Sequence, residues 1–238
     1  MKNSDARHYH DVVDAHRDGG RIVNVLLGGQ DGLVNVLGVV LGVAAATHST
    51  RVVVTAALAA ALAESISMGA VAFTTSRAQS AQFASERARE RRHIERVPEL
   101  ERDEVRALYA KKGFSGELLE RVVDTITRDK DVWIAVMMSE EHKLQDIDRR
   151  SSARAAIEVG FASLFGSLLP LVPFAFAPAA FATPLAIVVG AATLFAFGAY
   201  KARKTVGSAW RGGLVLMLVG LAAAFAGYAI GALLSVRV

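Results

Sequence analysis

Arg21-Ile-Val-Asn-Val-Leu-Leu-Gly-Gly-Gln-Asp31-Gly-Leu-Val-Asn35-Val-Leu-Gly38-Val-Val-Leu-Gly42-Val-Ala-Ala-Ala46 decides how this chain is read. The run is long enough to cross a bilayer as a helix, which takes about 20 apolar residues. Its single carboxylate, Asp31, stands about 10 residues in, near 15 Å at the helical rise. An ionised side chain at that depth costs about 3 kcal/mol unless it is neutralised or paired. Acids kept inside spanning helices point to ion or proton pathways, so Asp31 sets the question for the rest of the sequence.

The chain has 238 residues, 53% of them hydrophobic, and a mean hydropathy of +0.34. That is too apolar for an ordinary soluble domain. Five stretches are long enough to span: 22–46, 52–76, 153–177, 180–200 and 212–235. Residues 1–20 are polar and lack the apolar core of a signal peptide, so the first span is expected to be retained. With no cysteine, disulfides, thiolate zinc sites and iron–sulfur clusters are excluded. Any metal must be held by carboxylate, imidazole, thioether or backbone oxygen, which suits hard or borderline divalent ions. The net charge of +4 and pI of about 9.6 fit the basic loops of a membrane protein, and no nucleic-acid partner is expected.

Of 23 acids, 16 fall between Glu86 and Asp148, and 4 precede Arg21. Only Asp31, Glu64 and Glu158 remain for the membrane part. The expected fold is therefore all-α: a polytopic membrane protein of five transmembrane helices with a cytoplasmic helical metal-binding insert. Its parts are an N-terminal segment 1–20, helices one and two in 21–77, the insert 78–150, and helices three to five in 151–238.

Within the insert, the first helix should continue from the second span to about Val97, where Pro98 interrupts it. A second runs from Pro98 to Gly113. Ser115 is placed to cap a third, with Leu118, Leu119, Val122, Val123 and Ile126 at helical spacing. Val132–Leu144 forms a fourth helix or a continuation. The loop 201–211 carries four basic residues and no acid, whereas the loops near 47–51 and 177–183 carry one and none. The positive-inside rule then puts the N-terminus, the insert and the 201–211 loop in the cytoplasm.

Helix two runs antiparallel to helix one, which brings Glu64 and Met68, one turn apart, to the depth of Asp31. Asn35 lies one turn beyond Asp31 and Asn24 two turns before it. A carboxylate, amides and an opposed thioether make a candidate transport path of Asp31, Asn35, Glu64 and Met68. Methionine packing and asparagine bonding between helices give a purely structural alternative. Gly28 and Gly32, and Gly38 and Gly42, are each four apart, a spacing that allows close helix approach within one chain or between copies. Pro170, Pro173, Pro178 and Pro184 suggest a broken region between helices three and four.

In the insert, Glu90-Arg-Arg-His93 is a Glu-x-x-His pair on one helical face, the spacing of carboxylate-bridged di-iron bundles. Glu86 lies one turn earlier. Glu101 and Glu104 repeat the spacing after Pro98. Met137, Met138, Glu141 and His142 form another cluster at i, i+4. The candidate metal residues are Glu90, His93, Glu101, Glu104, Met137, Met138 and Glu141. Against this, the insert holds 15 Lys and Arg between residues 80 and 150, the composition of a solvated, ion-paired helix.

Asp31-Gly-Leu-Val, Gly38…Gly42-Val-Ala-Ala and Ser65-Ile-Ser-Met-Gly69 resemble the first two helices of the vacuolar iron transporter family. Val97-Pro-Glu and Trp133…Met137-Met138…Glu141 resemble its cytoplasmic domain, and Leu169-Pro-Leu-Val-Pro173 its third helix. The resemblance covers nearly the whole chain. It implies a five-helix homodimer with the ion path between subunits, exchanging Fe2+ for protons and accepting other divalent ions such as Mn2+. Asp31 and Met68 match the family's membrane path. Glu90, Glu101, Glu104, Met137, Met138 and Glu141 match its cytoplasmic metal sites. His93 stands where the family pattern has a glutamate. The family's helix-two glutamate aligns with Ala60, and Glu64, one turn away, is a candidate to replace it.

The expected function is a divalent-metal transporter, not an enzyme, that exports Fe2+ from the cytoplasm by proton antiport. It needs no permanent cofactor, and Mn2+, Co2+ and Zn2+ are alternative cargo. Thioether beside carboxylate favours Fe2+, Mn2+ or Co2+ over Mg2+ and Ca2+. The expected partners are metal ions, protons, the lipid bilayer and a second copy of the chain. A bacterial inner membrane is favoured over a vacuolar one. The rival readings are a membrane-anchored di-iron ferroxidase or a metal sensor built on the insert.

Overall fold

The structure, a computed structural model, describes residues 19–47, 49–144, 149–204 and 207–234, with side chains for all of these except 19–23, 149 and 150. The polar segment before residue 19 lies outside the described residues. Those that are described are helical and joined by short turns, with no strand among them.

Five helices are long and apolar enough to span a membrane. They are α1 (Gly19–Ala46), α2 (Thr50–Arg96), α6 (Arg149–Leu168), α7 (Ala179–Lys204) and α8 (Ala209–Leu233). Between α2 and α6 come α3 (Pro98–Lys111), α4 (Gly116–Thr127) and α5 (Lys130–Val136). The third apolar stretch is not one regular helix. After Leu168 it narrows to a 3-10 turn over Leu169–Ala175, because Pro170 and Pro173 lack the N–H groups an α-helix needs there.

The chain divides into two compact units, one formed by the residues through Ala72 and from Arg154 onward, the other by Phe73–Ala153. In the first, α1 packs against α7 and α8, and α7 against α8. Its core combines Val36, Leu37, Val40 and Leu41 of α1 with Val53, Ala57 and Ala61 of α2, Leu171 and Phe174 of the 3-10 turn, and alanines of α7 and α8. The small-residue spacing of α1 is used within the chain. A methyl group on Gly32 would lie 2.2 Å from the Ser163 carbonyl of α6, and one on Gly231 of α8 would lie 1.9 Å from the Gly42 carbonyl. Glycine is thus required where these backbones touch. Large apolar side chains such as Ile157, Phe161 and Phe165 point outward, as a lipid-facing surface demands.

In the second unit, α2 stops at Arg96 because Val97 precedes a proline and takes φ −136°. Gly113, at φ +97°, turns the chain after α3 in a conformation that suits glycine. Ser115 stands at the N-cap of α4 without a side-chain hydrogen bond. Asp129 caps α5, accepting from the N–H groups of Asp131 at 2.8 Å and Val132 at 3.2 Å. The fourth segment is not one regular helix either, since α5 widens into a π-turn over Met137–Glu141. Ile94, Val105, Leu119, Val123, Ile126, Trp133, Ile134, Met137 and Met138 close the core.

Because the α1–α8 contact is backbone on backbone, Gly231→Ala should cost about 1–3 kcal/mol by overpacking. Thermal unfolding of the purified protein in detergent should show a lower Tm for the variant, and an unchanged Tm would refute this packing.

Candidate metal sites

In the first unit, Asn35 donates from Nδ2 to Glu64 Oε2 at 2.6 Å, joining α1 to α2. The Asp31 carboxyl, one turn before Asn35, comes within hydrogen-bonding reach of the same glutamate. Met68 lies one turn along α2 from Glu64 and is half-buried. Asp31 and Asn35 are both exposed. They border an open groove of about 530 Å3, whose other walls are Val34, Gly38 and Val39 of α1 and Ala223, Gly227 and Ile230 of α8. Two adjacent carboxyl groups in an apolar setting call for a proton or a cation between them. One amide partner does not meet that demand.

In the second unit, Glu90, His93 and Glu101 each offer a ligand atom within 4.8 Å of the others. The two glutamates come from different helices, α2 and α3, and both are buried. His93 Nδ1 lies 3.1 Å from Glu101 Oε1, and His142 Nε2 lies 2.9 Å from Glu90 Oε1. The second oxygen of each glutamate is buried and meets no N–H or hydroxyl donor, and the two carboxyl groups come within hydrogen-bonding reach of each other. A buried acceptor left bare costs about 1–3 kcal/mol, more when charged, so the pair is organised to receive a further partner.

The electrostatics agree. Burial, reinforced by the charges of Glu90, Glu104 and Glu141, pushes the Glu101 carboxyl up to about 7. Burial and Glu104 raise that of Glu141. Burial alone would lower His142, but its hydrogen bond to Glu90 and the charges of Glu90, Glu141 and Glu86 hold it above the ordinary imidazole value. Glu104 and Glu141 therefore act on the cluster through their charge. Met137 and Met138 are buried in the apolar core beside Trp133 and Ile134. Glu86 pairs with Arg89 at 2.9 Å. His142, which the spacing groups with Met137, Met138 and Glu141, stands against Glu90 on another helix.

The family model described as the VIT family matches residues 22–232, nearly the whole chain. The chain belongs to the VIT family. Among curated VIT-family relatives, it is 29% identical over 217 residues to vacuolar iron transporter 1 of Eucalyptus grandis, covering 90% of this chain and 87% of that protein. It is 28% identical over 218 residues to vacuolar iron transporter 1 of Arabidopsis thaliana, covering 91% and 87%. With the vacuolar iron transporter of Toxoplasma gondii it shares 30% over 224 residues, covering 90% and 74%.

Glu101 carries the pH behaviour of the cluster. Its folded value lies above the ordinary 4.5, so its contribution to stability is fully present below that value and is lost as pH rises through about 7. The metal-free protein should therefore lose Tm between pH 5 and 8. A divalent ion needs the same carboxylate deprotonated, so Co2+ affinity should rise over that range, by up to about tenfold per pH unit below 7. Titration calorimetry in buffers of different ionisation enthalpy should detect proton release at pH 6. Glu101→Gln should flatten both trends, and a slope that persists in the variant would assign the proton elsewhere.

Proposed function

We propose that this chain is a divalent-metal transporter that exports Fe2+, with Mn2+ as a second cargo, from the cytoplasm by proton antiport. The observation that carries the reading is the Asp31–Asn35–Glu64 cluster, two carboxyl groups and an amide held together at the middle of spanning helices. The names of the relatives support iron as cargo and a transporter rather than an enzyme. The Glu90–His93–Glu101 cluster, with Glu104 and Glu141 lending charge, collects the ion on the cytoplasmic side. Asp31, Glu64 and Met68 pass it through the membrane. Protons travel the other way because carboxyl groups that release a cation in apolar surroundings must be neutralised. The basic loop 201–211 supports a cytoplasmic insert, and the Ala-, Val- and Arg-rich composition supports a bacterial inner membrane. A ferroxidase anchored by its helices, or a sensor without flux, gives Asp31 no task.

The working unit of this proposal is a homodimer. In a lone chain Asp31 and Asn35 are exposed along a groove flanked by Gly38, Ala223 and Gly227. A carboxyl left against lipid is costly. A second copy placing its own groove there would cover both and double the ligand set, as a two-fold interface does.

Proteoliposomes loaded with a pH reporter test the transport reading. Wild type should move Fe2+ with opposite proton movement, and Asp31→Ala should lower the rate by at least about a hundredfold. A variant that transports at the wild-type rate would remove Asp31 from the path. The cysteine-free background tests the dimer. Ala223→Cys in the groove should give a dimer band with a short thiol crosslinker in membranes, and Phe161→Cys on an outward face should not. Equal labelling patterns would place the contact elsewhere.

A further inference from the structure

His142 reaches Glu90, one member of the metal cluster, by way of an irregular turn. In an uninterrupted α-helix, residues 138 and 142 share one face. Here the chain closes wider hydrogen bonds, from the N–H of His142 to the Met137 carbonyl at 3.2 Å and from the N–H of Leu144 to the Met138 carbonyl at 3.0 Å. The adjoining Lys143 takes φ +54°, the left-handed region. One extra residue in a turn rotates the succeeding side chains by about 100° relative to an α-helix. Met137 and Met138 stay in the core, while His142 Nε2 stands 2.9 Å from Glu90 Oε1.

The result is a paired arrangement. Each buried glutamate directs one oxygen at an imidazole nitrogen, Glu90 at His142 and Glu101 at His93. Each keeps its other oxygen buried and without an N–H or hydroxyl donor. Two carboxyl groups whose inner oxygens have no partner but each other, with a nitrogen donor beside each, form a mixed nitrogen–oxygen ligand set. Imidazole suits Fe2+, Co2+ and Zn2+, whereas Mn2+ and Mg2+ are served best by oxygen alone.

We infer that His142 is a direct metal ligand beside Glu90 in the Glu90–His93–Glu101 cluster, and that its imidazole makes this site prefer Fe2+, Co2+ and Zn2+ to Mn2+, which stays the weaker cargo, and to Mg2+. The inference rests on the metal-collecting role proposed above for these residues. On binding, Nε2 gives its lone pair to the ion: an imidazolium releases its Nε2 proton to solvent and keeps the one on Nδ1, and a neutral imidazole carries its single proton on Nδ1. Selection at this site thus precedes anything that happens at Asp31.

The test uses the purified full chain in detergent, titrated separately with Co2+, Zn2+ and Mn2+. His142→Gln keeps a side-chain N–H for Glu90 but loses the imidazole. It should weaken Co2+ and Zn2+ binding at least about tenfold and Mn2+ binding less than about threefold. It should also change the visible absorption bands of bound Co2+. His142→Asp, which supplies oxygen instead, should bind all three ions with the Co2+ to Mn2+ preference reduced. A His142→Gln protein with the wild-type Co2+ spectrum, or with equal losses for all three ions, reduces His142 to a holder of Glu90 and overturns the inference. Fe2+ flux by wild type, measured separately, would survive that result, so the two readings fail independently.

Discussion

A carboxyl group withheld from water must find a proton, a cation or several hydrogen bonds, and both units of this chain collect carboxyl groups without supplying enough of any of these. In the membrane-length unit, Glu64 meets Asp31 and a single amide, Asn35. In the other unit, Glu90 and Glu101 are buried with one imidazole contact each and one oxygen each that meets no N–H or hydroxyl donor. Elsewhere the chain pairs its acids generously. Glu120 accepts from Arg106 at 2.8 and 3.0 Å and is held below the usual carboxylate range, and Asp124 meets Arg102. Those exposed acids receive arginines, while the buried Glu90 and Glu101 do not.

The scaffolds that hold these groups are built differently, as their solvents require. Between apolar helices there is little hydrophobic force, so α1 is fixed by backbone contact through Gly32 on α6 and Gly42 on α8. Asp31, Asn35 and Gly38 lie on the same stripe of α1 as Gly42 and border the groove where α1 meets α8. The smaller unit instead closes over a core of branched and aromatic side chains, and its buried glutamates lie beside that core.

Much of this was legible from residue spacing. The apolar runs marked the spans, Pro98 marked the break after α2, and Glu90 and His93 at i, i+3 defined one face of the cluster. What could not be read was any feature set by a departure from regular geometry or by a partner on another helix. Pro170 and Pro173 hinted at a broken third span, but the change to a 3-10 turn depends on which hydrogen bonds the neighbours can replace. The spacing of Met138 and His142 pointed both to one face, and the π-turn separated them. The glycine spacing of α1 did not say whether its partner was in the same chain, because both answers need the same small residues.

The two ligand sets also differ in a way that suits their proposed order. A site that captures an ion from a mixture gains from imidazole, whose nitrogen separates borderline ions from Mg2+ and Mn2+. A site that hands an ion across a membrane gains from ligands that let go, since conduction needs binding weak enough to leave. Carboxyl groups with an amide and a thioether near them meet that second need, and they offer no nitrogen donor of the imidazole kind. In that proposal, selectivity in the insert would relieve the membrane cluster of choosing between ions. Asp31 and Glu64 would then have charge alone to balance, which two adjacent carboxyl groups can do with either one divalent ion or protons in its place.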